Sequence, residues 1–156
     1  MSLEYIPEGT STDKVEYNCY SYVLAQLLND EHIYGKGDEA LLPYKKKKIL
    51  SYTIDRDSDP SYEIEELLSE QYTEGNIKKF PLIGELYDAE TNNSIHAFLI
   101  DEDFRIHHQN GNNGPIYEKQ TAQTLNQLLD DDLYRDTKSL NIKFFDIKEN
   151  YNFFTT

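Results

Sequence analysis

Tyr17-Asn18-Cys19-Tyr20-Ser21-Tyr22-Val23-Leu24-Ala25-Gln26-Leu27-Leu28-Asn29 places the single cysteine of the chain at the start of its most strongly patterned segment. Tyr20, Val23, Leu24, Leu27 and Leu28 recur at i, i+3, i+4, i+7 and i+8, the stripe of a helix buried along one side. Cys19 falls in the first turn, where the helix dipole and the unpaired amides favour a thiolate, the nucleophilic form of the side chain. A free cysteine also serves as a small hydrophobe filling a gap. What decides between the two roles is whether a base lies elsewhere in the chain.

At 156 residues with 38% hydrophobic content, the chain has enough apolar side chain for one core. The expectation is a single domain spanning 1–156, with an irregular arm at 1–14 and a tail at 151–156. A mean hydropathy of −0.74 and the lack of any apolar run near the roughly 18 residues of a spanning helix argue against a membrane segment. The start of the chain shows no secretory signal pattern, and one cysteine excludes an internal disulfide framework. These features point to the cytoplasm, or to release by a specialised bacterial secretion machine that leaves no cleavable signal. The net charge of −14 disfavours a phosphate backbone, so no nucleic acid is expected, and a basic protein partner is the better match. Lys45-Lys46-Lys47-Lys48 is a lone basic run, read as a solvated face.

Downstream, Asp30 to Pro43 reads as loop with a helical turn at Glu39 to Leu42, and Ile49 to Ile54 as a short strand. Asp59-Pro60 is a helix start, with a capping aspartate and proline at the first helical position; Ile64, Leu67, Leu68 and Tyr72 then give an amphipathic helix closed near Gly75. From Phe80 the pattern becomes that of a sheet. Strands are expected over Phe80 to Tyr87, Ser94 to Ile100, Phe104 to Gln109 and Asn141 to Lys148, with a helix opening at Thr121.

Of the four histidines, His32 lies in a loop, whereas His96, His107 and His108 share one predicted hairpin. A two- or four-residue turn around Asp101 to Asp103 pairs His96 with Gln109 or His107, both on its own face, at a cross-strand Cβ separation of about 5 Å. Asn110 reaches His96 only if a bulge shifts the parity, and His108 faces the apolar side or the edge. A nucleophile at a helix start, an imidazole to take its proton and a polar group to fix the tautomer are what a thiol hydrolase requires. The candidates are Cys19, His96 and either Gln109 or His107. A metal site from Cys19, His96 and His107 lacks the paired short spacings of such sites, and none is expected.

The order helix-borne cysteine, strand-borne histidine, polar residue on the next antiparallel strand resembles the papain-like cysteine hydrolase superfamily. Asn18-Cys19 with its helix, and Ser94-Ile95-His96-Ala97-Phe98-Leu99-Ile100 with its hairpin, carry the resemblance. It implies an α+β, papain-like fold in which an antiparallel sheet packs against the helix bearing Cys19. It further implies Cys19 as nucleophile, His96 as base, Gln109 or alternatively His107 as orienter, and the Cys19 amide with the Asn18 side chain as oxyanion donors. No cofactor is implied. Small size and the lack of a secretory signal look more like bacterial effector branches, such as glutamine deamidases with a Cys-His-Gln triad or compact peptidoglycan amidases, than like digestive proteases. The acidity favours a protein substrate, for a deamidase or protease, over an anionic cell wall. Two features depart from the family: no glutamine stands a few residues before Cys19, and Tyr20 follows it in place of a small residue. The rival expectation is a noncatalytic acidic inhibitor or immunity-type protein that covers a basic protein surface, with Cys19 and His96 as core residues.

Overall fold

The computed structural model describes residues 18–29, 35, 37–55, 57–111 and 113–148. The arm at 1–14, the tail at 151–156 and His32 lie outside the described residues. The architecture is α+β: six antiparallel strands in the order β1-β6-β2-β3-β4-β5, with helices on both faces. In chain order these elements are α1 (Cys19–Leu28), β1 (Lys45–Thr53), α2 (Pro60–Thr73), β2 (Leu82–Asp88), β3 (Asn93–Ile100), β4 (Ile106–Gln109), β5 (Ile116–Tyr117), α3 (Leu125–Leu129) and β6 (Leu140–Ile147). Among the described residues no helix is long and apolar enough to cross a membrane.

The sheet separates two cores. On one face α1 packs against Ile83, Ala97 and Leu99 and is covered by Leu41. On the other, α2 and α3 bring Ile64, Leu68, Leu125, Leu128 and Leu129 onto Leu82, Phe98, Ile100, Ile106, Ile142 and Phe144. Local chemistry sets the helix starts. Asn18 Oδ1 accepts from the Ser21 amide at 3.0 Å to cap α1, and Asp59 Oδ1 accepts from Tyr62 at 3.2 Å to cap α2, with Pro60 at the first position. Asn29, left-handed at φ 53°, closes α1.

Four expectations need correction. Helix α1 is not buried along one side: every residue from Cys19 to Leu27 is buried, and Leu28 alone is exposed. The reason is its cover, since the Tyr22 hydroxyl donates to Glu118 at 2.8 Å and the 3₁₀ turns near Leu41 close over it. The helix expected from Thr121 begins at Leu125, because Thr124 and Gln127 form a reciprocal capping box (3.1 and 2.8 Å) while Gln123 is held extended by a bridge to Ile106. Strand β1 starts at Lys45, four residues before the expected strand. Within the lysine run, Lys45 turns inward to an ion pair with the fully buried Glu85, whereas Lys46, Lys47 and Lys48 stay exposed. Glu85 also accepts from Ser94 at 2.6 Å, and Ser94 is bonded to the Tyr20 hydroxyl at 2.7 Å, so this polar chain ties β1, β2 and β3 to α1.

Gly84 lies at the middle of β2, paired with Phe98 on one side and Phe144 on the other. The two rings meet edge to face across it, centroids 6.1 Å apart. A Cβ on Gly84 would stand 2.2 Å from Phe98 Cε2, and Phe98 is fully buried. Gly84→Ala is therefore expected to destabilise by about 1–3 kcal/mol through overpacking, with part of that loss regained in a Gly84→Ala/Phe98→Leu double variant. Urea unfolding of the three chains decides it; an alanine variant within about 0.5 kcal/mol of the parent would mean the ring yields.

Candidate active site

Cys19, the first residue of α1, and His96, on β3, line one cavity of about 350 Å³ at the end of the sheet, together with Asn18, Tyr20, Asp88, Ile95, Gly111, Leu133, Tyr134 and Thr137. His96 arrives there through an irregularity. Leu86 pairs with His96 but Tyr87 pairs with Ser94, which leaves Ile95 as the extra residue of a β-bulge. A bulge of this kind turns the strand and re-aims the neighbouring side chain.

The ring of His96 is almost fully buried. Its Nε2 lies 2.8 Å from His108 Nδ1, and His108 Nε2 lies 2.7 Å from Gln123 Oε1. Protons can be placed along this line from its far end. The Gln123 oxygen only accepts, so His108 carries its proton on Nε2 and offers the Nδ1 lone pair; His96 must then donate from Nε2, and its own lone pair rests on Nδ1. Gln123 is itself fixed by two backbone hydrogen bonds to Ile106, at 2.7 and 3.0 Å. Burial, and secondarily His108, hold the His96 pKa well below that of a free imidazole. Burial brings His108 down to about 4.

This arrangement corrects the expected third group. The hairpin register is Leu99 with His107 and Ile100 with Ile106, so His107 shares the α1 face with Leu99, and the face of His96 holds His108. The cause is the loop. Asp101 and Arg105 still bond across it at 3.0 Å, leaving a three-residue turn with Phe104 left-handed at φ 61°. An odd loop reverses the parity that a two- or four-residue turn imposes. His107 instead binds Asp101 at 2.7 Å through Nε2 and accepts from the Lys119 amide at 3.0 Å through Nδ1. Burial raises the Asp101 pKa, but the His107 hydrogen bond and the amides of Arg105 and Asp103 outweigh it and hold the carboxyl low. Gln109 is fully buried and donates to the Gly114 carbonyl at 3.3 Å across the loop after β4. Asn110 binds Asp131 at 2.6 Å. Among the described residues no hydrogen bond joins any of the three to His96.

Asn18 lines the cavity, but its carboxamide is engaged in folding: Oδ1 caps α1 and also accepts from the Ser21 hydroxyl at 3.2 Å, while Nδ2 donates to the Gly35 carbonyl at 3.1 Å. The expected thiolate is also corrected. Burial pushes the Cys19 thiol up to about 12, outweighing hydrogen bonds from the backbone of Ala97, Tyr20 and Cys19 that favour the anion. Among the described residues no hydrogen bond joins the thiol to the His96 ring, so the free protein holds a neutral thiol and a neutral imidazole in one cavity. Sequence reasoning missed His108, Gln123 and Tyr134, whose ring lies 5.1 Å from that of His96. The capping box at Thr124 was the available signal for Gln123, since it starts α3 only after that residue and leaves Gln123 in the extended chain.

Two neutral buried imidazoles make the fold acid-sensitive in a defined direction. Above pH 6.5 His108 is neutral folded or unfolded; below it the unfolded chain takes up a proton that the native ring refuses down to about pH 4. Stability is thus fully present above pH 6.5 and falls as pH drops towards 4, by about 3 kcal/mol for this one group. Urea unfolding at pH 7.5 and 4.5 should show the parent losing about that much more than His108→Gln across the interval; equal losses would mean that His108 protonates freely in the native state.

The chain matches no protein-family model, no curated protein and no solved structure.

Proposed function

We propose that the protein is a cysteine-dependent hydrolase that attacks a carboxamide or peptide bond of a protein substrate, in a papain-like arrangement of helix and sheet. The observation that carries this reading is the shared cavity of Cys19 and His96, with the imidazole held by His108 and Gln123 in the tautomer whose Nδ1 is basic. The neutral resting pair dictates the route. His96 Nδ1 takes the thiol proton as sulfur attacks the carbonyl carbon, rather than from a preformed ion pair. The amide group then leaves with that proton, and water, activated by the same nitrogen, cleaves the thioester and regenerates the thiol. The backbone amides of Cys19 and Tyr20, in the first turn of α1, are the dipoles assigned to the oxyanion. His108 and Gln123 act through His96 and are positioning residues; Gln109 and His107 keep structural roles in this scheme. Deamidation and proteolysis differ here in the leaving amine alone.

A second reading, an acidic noncatalytic inhibitor or immunity-type protein covering a basic surface, has a specific observation in its favour. Burial suppresses both the acidity of Cys19 and the basicity of His96, as it does for core residues, and the net charge of −14 suits a basic partner.

Alkylation of Cys19 by iodoacetamide separates the two. Under the hydrolase reading the thiol reacts at pH 7.5 and His96→Ala slows it by about a hundredfold. Because the His96 pKa lies well below 6.5, the basic ring persists and the reaction continues into mildly acidic buffer. Reactivity that ignores His96→Ala and rises with pH towards a thiol pKa of about 12 would remove the hydrolase reading and leave the acidic binder.

A further inference from the structure

The cavity around Cys19 has an uneven charge distribution that bears on what it admits. Among the described residues that line it there is no lysine or arginine, and Asp88 supplies the one formal charge, since Cys19 and His96 are both held neutral by burial. Asp88 is half-buried at the end of β2, where the strand turns towards β3. Its Oδ1 accepts from the amides of Glu90 at 2.9 Å and Thr91 at 3.4 Å, and its carbonyl from Asn92 at 2.7 Å. The turn thereby fixes the carboxylate in place, and among the described residues Oδ2 receives no hydrogen bond. A fixed carboxylate oxygen at the wall of a cavity is an acceptor for a donor arriving from outside. Tyr20 and Tyr134 line the same space, and aromatic walls tolerate a cation better than an anion.

We propose that the cavity selects a substrate bearing a positively charged amine or guanidinium group close to the carbonyl it presents to Cys19, and that Asp88 is the specificity-determining residue that receives this charge. The inference rests on the hydrolase reading in taking Cys19 as the reacting atom. A neutral or anionic neighbour of the scissile bond leaves Asp88 without a partner or facing a like charge. The acidity of the whole chain works in the same direction at long range and weakens with salt. The local part belongs to Asp88 and is separable by substitution. Asp88→Asn keeps an acceptor for the Glu90 and Thr91 amides, so the turn survives while the charge goes.

The experiment needs no identified substrate. Second-order rates of Cys19 modification are measured in 0.3 M salt with cationic aminoethyl and anionic sulfonatoethyl methanethiosulfonate, each forming a mixed disulfide with release of methanesulfinate, and with neutral iodoacetamide as reference. The parent is expected to prefer the cationic reagent. Asp88→Asn should cut that preference by about fivefold or more, the factor that one unit charge at about 4 Å supplies even at the dielectric of water. Glu70→Gln, the same charge change on the exposed side of α2, should leave it nearly unaltered. If iodoacetamide reacts with His96-dependence but the preference is the same in Asp88→Asn and Glu70→Gln, the Asp88 assignment is overturned and the hydrolase reading stands. A thiol that no reagent reaches in the native chain overturns both.

Discussion

Two imidazoles share the interior of this protein without a charge between them, and the hydrogen bonds that permit it govern much of the fold around them. A buried polar nitrogen without a partner costs about 1–3 kcal/mol, so His96 and His108 are tolerable together because each supplies what the other lacks. The line ends at the Gln123 carboxamide, and the backbone bridge between Gln123 and Ile106 holds that end still. Three irregular features follow from the requirement. The odd loop brings His108 to the face of His96, the bulge at Ile95 turns His96 towards the cavity, and the short stretch between the 3₁₀ turn at Lys119–Thr121 and α3 stays extended so that Gln123 can reach β4. Each departs from regular geometry, and all three serve the same pair of rings.

At the start of α1, Cys19 is subject to two opposed effects. The start of a helix lowers a thiol pKa, and removal from water raises it. Here burial wins because α1 is covered on all sides through Leu27, so the dipole acts on a sulfur that solvent barely reaches. A thiolate–imidazolium pair would place two charges in that dry setting, at a desolvation cost that their attraction repays only with excellent geometry. In the proposed mechanism, proton transfer during attack avoids forming that pair beforehand. The same burial that makes the thiol look inert is the reason the proposed hydrolase mechanism uses a general base and no preformed ion pair.

The parts of the fold legible in the sequence are those fixed by short-range chemistry. The stripe after Cys19, the Asp59-Pro60 start of α2 and the alternation from Ser94 to Ile100 each name their element, because capping and periodicity act within a few residues. Cys19 and His96, the expected pair, line one cavity. The third group did not, for a particular reason. A left-handed turn position is normally marked by glycine or asparagine, and here Phe104 occupies it, its ring set edge-on against Phe80 at 6.3 Å. Tertiary packing holds a backbone conformation that the residue itself disfavours, so the loop reads as even when it is odd. One residue of parity exchanges His107 and Gln109 for His108.

The full burial of α1 was illegible for a related reason. Amphipathic spacing reports the most apolar face of a helix, but Ser21, Gln26 and Tyr22 on its other side are covered as well. Ser21 and Tyr22 are tolerated because polar partners come to them from distant parts of the chain: the Ser21 hydroxyl accepts from the Gly35 amide at 3.0 Å, and the Tyr22 hydroxyl reaches Glu118. A side chain that reads as solvent-facing in a local pattern becomes an anchor once a loop supplies its complement, and no local pattern encodes that supply. The same logic links Lys45 to Glu85. A buried carboxylate under α1 needs a cation, and the edge strand provides one by turning the first lysine of its run inward while the next three remain in water. Removing one partner of such a pair leaves a buried charge uncompensated, so this ion pair constrains where β1 can lie in addition to the apolar contacts of the same face. The position of the helix that carries Cys19 therefore depends on polar matches made by residues up to about a hundred positions away in sequence, as the Tyr22–Glu118 separation of 96 illustrates, and the cavity inherits its shape from those matches.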